Sequence, residues 1–152
     1  MADILFKIVT FEKKNGVIEP FVSERAVTPD LARTIVSALA EEGLESAMAK
    51  LGELTPLRYQ VPEVFSITKA LLKEEMEVDE DRGVAVIPVV ALGRGERGEG
   101  IDHHEVSLEE TETVNAMAWR DYDETVAMVS NTSGLPRYQA RQIVDEIVKY
   151  LF

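Results

Sequence analysis

The nine residues Val84-Ala85-Val86-Ile87-Pro88-Val89-Val90-Ala91-Leu92 are the most apolar run in the chain, and no other segment limits the fold as much. Their length and β-branching predict a strand buried on both faces. Pro88 has no amide proton to give to a ladder, so it is expected at a sheet edge, a bulge or a break. The run is far shorter than the roughly 18 apolar residues a membrane span needs, and no span is expected elsewhere.

The surrounding sequence supplies the partners of such a strand. Ile4 to Phe11 and Val17 to Val22 are β-prone and flank Lys13-Lys14-Asn15-Gly16, which predicts an N-terminal β-hairpin. Thr28-Pro29-Asp30 opens a helix that closes near Gly43, with Leu31, Ile35, Ala38 and Leu39 as its inward stripe. A short helix from Leu44 to Leu51 ends at Gly52. Pro56 and Pro62 are then expected to keep the chain extended until a helix from Val64 to Met76. Asp79 to Gly83 reads as a polar turn. After the apolar run, a glycine-rich tip leads into Ile101 to Leu108, forming a second hairpin.

Ser107-Leu108-Glu109-Glu110 has the form of a capping box and predicts a helix start. Val114, Met117, Ala118, Tyr122, Val126 and Val129 recur at helical spacing, with a break near Asp121. Gly134-Leu135-Pro136 separates this segment from a last helix. There Ala140, Ile143, Val144, Ile147, Val148 and Leu151 form the inner face, and Arg137, Arg141, Gln142, Glu146 and Lys149 the outer. No linker or repeat divides the 152 residues, a length suited to one domain. The expected fold is α+β over residues 1–152. The N-terminal hairpin, central strand and second hairpin form an antiparallel or mixed sheet, packed with helices that include a C-terminal helical hairpin.

Composition narrows the chemistry. With no cysteine, disulfides, thiolate metal sites and cysteine nucleophiles are excluded, and any metal would need His, Asp or Glu. A net charge of -12 at pH 7 disfavours non-specific nucleic-acid binding, which depends on lysine and arginine displacing counterions. Met1-Ala2-Asp3 is followed by no basic leader region, so the expected location is the cytoplasm.

Three clusters can carry function. Gly93-Arg94-Gly95-Glu96-Arg97-Gly98 has the letters of a dinucleotide-binding loop, but an extended segment follows it, where the fingerprint requires a helix. Arg94 and Arg97 could clamp an anion, and a solvated hairpin tip explains the same residues. In Asp102-His103-His104-Glu105, strand alternation puts His104 on one face with Asp102. Asp102 could orient His104 as a general base. The pattern supplies too few ligands for a metal site, and packing of one histidine with solvation of the other is the favoured account of the same residues. Trp119 lies off the main helical stripe, near Met128, which suggests self-association or core packing.

Two segments resemble known families. Lys13-Lys14-Asn15-Gly16-Val17-Ile18-Glu19-Pro20-Phe21, followed by Glu24-Arg25, resembles the opening strands of the ATP-cone, a regulatory nucleotide-binding module of ribonucleotide reductases and their repressors. The resemblance covers residues 8–45 and implies phosphate contacts by Lys13, Lys14 and Arg25. The last thirty or so residues resemble a helix-turn-helix, which implies DNA contacts by Arg137, Tyr138 and Arg141.

These observations lead to a non-catalytic ligand-binding or protein-interaction domain, homo-oligomeric, of open specificity and with no cofactor indicated. Its candidate ligands are a small anion or a nucleotide. One alternative is a small enzyme with an Asp102/His104 base and an anionic substrate held by the Gly93–Gly100 loop. The other is a helix-turn-helix regulator.

Overall fold

The computed structural model describes residues 2–52, 55–92 and 100–151, which form six helices and five strands. The fold is α+β. The strands divide into two antiparallel sheets, a two-stranded N-terminal hairpin and a three-stranded sheet, with helices at the C-terminal end.

The hairpin joins β1 (Ile4–Lys14) to β2 (Val17–Val27) through only two residues. Asn15 and Gly16 have φ of 51° and 82°, and a two-residue turn with positive φ at both positions matches the right-handed twist of the strands it joins. Lys13 and Lys14, expected in the turn, are the last residues of β1. Across the pair, the Thr10 hydroxyl donates to the Phe21 carbonyl at 3.3 Å and lies 2.9 Å from Ser23 Oγ.

The chain packs as two compact units. One comprises the described residues of 1–8, 24–74 and 90–101; the other comprises those of 9–23, 75–89 and 102–152. Strands β1 and β2 each contribute to both.

The first unit is a mutually packed trio of helices, α1 (Pro29–Glu41), α2 (Leu44–Leu51) and α3 (Leu57–Leu71). Thr28 caps α1, its Oγ1 accepting from the Leu31 amide at 3.2 Å. Ala32, Ile35, Ala38 and Leu39 are buried. Leu31 is exposed, so Ile35, Ala38 and Leu39 hold the predicted inward positions and Ala32 stands in for Leu31. The larger departure is α3, which starts seven residues before Val64 and holds Pro62 inside it. Pro62 removes one helical hydrogen bond, to the Arg58 carbonyl. Residues 62–69 are all buried, and hydrophobic burial of Val64, Phe65 and Ile67, at roughly 1.5–3 kcal/mol each, offsets that loss. The helix stops at Leu71, five residues earlier than predicted, where Lys73 adopts the left-handed conformation (φ 56°).

In the second unit β3 (Glu77–Asp79) pairs antiparallel with β4 (Val84–Ala91), in the register Glu77↔Val86, Val78↔Ala85 and Asp79↔Val84. The order β3-β4-β5, with β5 at Gly100–Ser107, makes β4 central. Pro88 lies two residues past Val86, the last β4 residue with a β3 partner, so the central strand is an edge on that side where the proline occurs. Three helices complete the unit: α4 (Leu108–Arg120), α5 (Tyr122–Ser133) and α6 (Arg137–Leu151). Asp121 breaks the helical run and caps α5 through the Glu124 amide at 3.1 Å. Gly134, at φ 75°, ends α5. The core joins Ala85, Ile87 and Val89 of β4 to Val114 and Ala118 of α4, Val126 of α5, and Ile143, Val144 and Ile147 of α6.

Helix α6 corrects a prediction. Gln142 and Glu146, assigned to an outer face, are buried, and every residue from 142 to 148 is enclosed. Polar groups there are tied to neighbours: Lys149 Nζ donates to Glu146 at 3.1 Å, and Asp145 pairs with Arg141 and Tyr122. A helix whose charges are matched internally can be enclosed on its polar face as well. No helix among the described residues is long and apolar enough to cross a membrane.

Candidate functional site

Alternation along β5 determines which of its side chains face the helices. His104 and Val106 are half-buried, while His103 and Glu105 are exposed. On the exposed side Glu105 receives a two-pronged hydrogen bond from Arg82, at 2.9 and 2.8 Å. These bonds hold its carboxyl below the usual glutamate range. β5 ends in Ser107, whose Oγ accepts from the Glu110 amide at 3.1 Å and caps α4. The reciprocal half of the box is not made: among the described residues the Glu110 carboxylate has no hydrogen bond.

Between β5, α4, α5 and α6 lies a cavity of about 640 Å³. Val114, Ile143 and Ile147 form its apolar floor, and Met128 and Leu135 are half-buried in its wall. Its polar lining comes from the residues His104, Ser107, Thr113, Thr132 and Ser133, with Glu105, Glu109 and Glu110. No lysine or arginine among the described residues lines it. His104 Nε2 is shielded and has no hydrogen-bond partner among the described residues, an arrangement that costs about 1–3 kcal/mol for an orphaned polar group.

A second polar cluster lies deeper in the same unit. The Tyr122 hydroxyl donates to Asp145 Oδ1, and Arg141 Nε lies 3.5 Å from Asp145 Oδ2, close enough for an ion pair but without hydrogen-bond geometry. The guanidinium carbon of Arg141 is 5.8 Å from the Tyr122 ring centroid, and Phe11 meets that ring edge-on at 4.9 Å. Burial, and then the charge of Asp145, push the Tyr122 phenol well above its ordinary pKa, so it is a protonated donor and a poor nucleophile.

The residues singled out from sequence are dispersed. Among the described residues no hydrogen bond joins Asp102 to His104, and Asp102 does not line the cavity. Lys13 and Lys14 are exposed at the end of β1 in the second unit. Arg25 belongs to the first unit, where its Nη1 donates to the buried Glu63; the Thr55 hydroxyl holds the other oxygen of Glu63 at 2.8 Å. Arg94 and Arg97 lie outside the described residues, as does most of the Gly93–Gly100 loop. Arg137 is exposed, Tyr138 half-buried, and Arg141 engaged with Asp145. Trp119 is half-buried, and Met128, its predicted neighbour, lines the cavity. No group of three His, Asp or Glu among the described residues could hold a metal ion.

Sequence reasoning reached His104 and the α4 cap but not Met128, Thr132, Ser133 or Leu135. It also missed Asp145, whose only signal was its spacing of four from Arg141 on one helix. No family model matches this chain, and neither a curated protein nor a solved structure matches it.

Proposed function

We propose that this protein is a non-catalytic binding domain whose ligand is a small molecule seated in the cavity between β5, α4, α5 and α6. The observation that carries the reading is the cavity itself. Its 640 Å³ falls within the roughly 300–1,000 Å³ of small-molecule sites, and it combines an apolar floor with a few polar groups, the usual composition of such sites.

The surroundings of His104 support binding over catalysis. A histidine base needs a partner that fixes its tautomer and a reachable nitrogen; here Asp102 makes no bond to it and Nε2 is shielded. An anionic substrate would also face Glu109 and Glu110, with no cation among the described lining residues to meet it.

The test is ligand-induced thermal stabilisation across a panel of small amphipathic compounds, run on wild type and Thr132→Trp. Thr132 is exposed on α5 at the cavity mouth, so an indole there occupies the cavity without disturbing the core. Stabilisation of wild type that Thr132→Trp abolishes is the expected result. No stabilisation, or stabilisation untouched by the substitution, overturns the reading.

A further inference from the structure

Resting on that cavity as the ligand site, we infer that its ligand is an organic cation, an amine carried on an apolar body. Among the described residues three glutamates line the cavity and no lysine or arginine does. Glu105 is matched by Arg82. Glu109 and Glu110 have no side-chain partner among the described residues, since only their backbone groups bond, the Glu109 carbonyl to Thr113 and the Glu110 amide to Ser107. The N-terminal dipole of α4 compensates these two in part, at roughly half a unit charge, which leaves a net negative rim.

Polar and apolar lining are also separated within the cavity. Val114, Ile143 and Ile147 are buried in the floor, while Glu109, Glu110 and Thr113, at the start of α4, are exposed. A ligand with a hydrocarbon or aryl body and one charged end can satisfy both regions. A small inorganic cation leaves the floor unfilled, and a carboxylate or phosphate ester brings like charge to the rim.

Both carboxylates are exposed, so their attraction is that of partly solvated charges. Charge therefore sets the preference among ligands, and apolar burial supplies most of the affinity.

The experiment uses three bodies, n-hexyl, phenethyl and naphthylmethyl, each carrying an ammonium, a hydroxyl or a carboxylate. Binding is followed by titration calorimetry at low salt and at about 0.5 M NaCl, where the screening length falls below about 5 Å. For at least one body the amine is expected to bind about tenfold more tightly than the alcohol, with the carboxylate weakest, and high salt compresses that order. In Glu109→Gln/Glu110→Gln the amine falls to the affinity of the alcohol while the alcohol is unchanged. Amine and alcohol of equal affinity, or a preference that survives the double substitution, overturns the charge inference and leaves the cavity reading standing. Binding unaffected by Thr132→Trp, or no binding by any of the nine compounds, removes the cavity reading and the inference together.

Discussion

Replacing Tyr122 with Phe tests how the second unit is held together. Asp145 is 5% exposed, and the Tyr122 hydroxyl donates to it. The substitution removes one oxygen and keeps the ring, so the edge-on contact with Phe11 and the stacking under Arg141 persist. What is lost is a hydrogen bond to a charged acceptor deep in the unit, about 1.5–3 kcal/mol. For a chain of this size each kcal/mol moves the melting temperature by roughly 2–4 °C, so the midpoint should fall by about 3–12 °C. Trp119 is the only tryptophan and belongs to the second unit, so its fluorescence follows the relevant transition.

The pH dependence follows from the direction of the phenol's shift. A folded-state pKa raised above 10.0 means that the folded protein holds the proton more tightly than the unfolded chain. The associated stability is fully present below pH 10.0 and is lost as pH rises through the folded-state value. The gap between wild type and Tyr122→Phe should therefore be widest near neutrality and shrink above about pH 10. A midpoint change under about 1 °C at neutral pH, or a gap that widens at alkaline pH, would refute a stabilising Tyr122–Asp145 bond.

Two further predictions concern single polar contacts. In the first unit Arg25→Ala strands a Glu63 carboxylate that is 3% exposed, whereas Glu63→Ala leaves an arginine whose side chain, 32% exposed, can hydrate. Urea unfolding should show Arg25→Ala as the costlier change, about 3–5 kcal/mol against about 1–3; the reverse order contradicts the pairing. Ser107→Ala removes the α4 cap and should cost about 1 kcal/mol by the same measurement, with Ser107→Asp restoring most of it.

Local chemistry was the most legible part of the chain. Asn15-Gly16, Thr28, Asp121, Ser107 and Gly134 each do what their side chain or backbone freedom predicts, because a cap or a tight turn is decided within a few residues. Burial is decided elsewhere. Pro62 reads as a helix breaker until the enclosure of residues 62–69 outweighs one missing hydrogen bond. The three residues of β3 are too few to carry a period, and they form a strand because β4 offers an edge. On α6, Gln142 and Glu146 look solvent-facing by type and are buried, with partners on the helix itself, the Tyr138 carbonyl for Gln142 and Lys149 for Glu146. Half of the candidate site could be read for the same reason. His104 and Ser107 announce themselves within β5 and its junction with α4, whereas Met128, Thr132 and Leu135 become site residues only when α5 and α6 pack beside them.

The most direct test is methyl NMR of the protein with labelled Ile, Leu, Val and Met, titrated with phenethylamine. Shift changes should concentrate at Met128, Leu135 and Ile143, which line the cavity, and disappear in Thr132→Trp, while Ile35 and Ile67 in the first unit stay still. Changes centred on the first unit, or no changes at any labelled methyl, would contradict the assignment of the cavity as the ligand site.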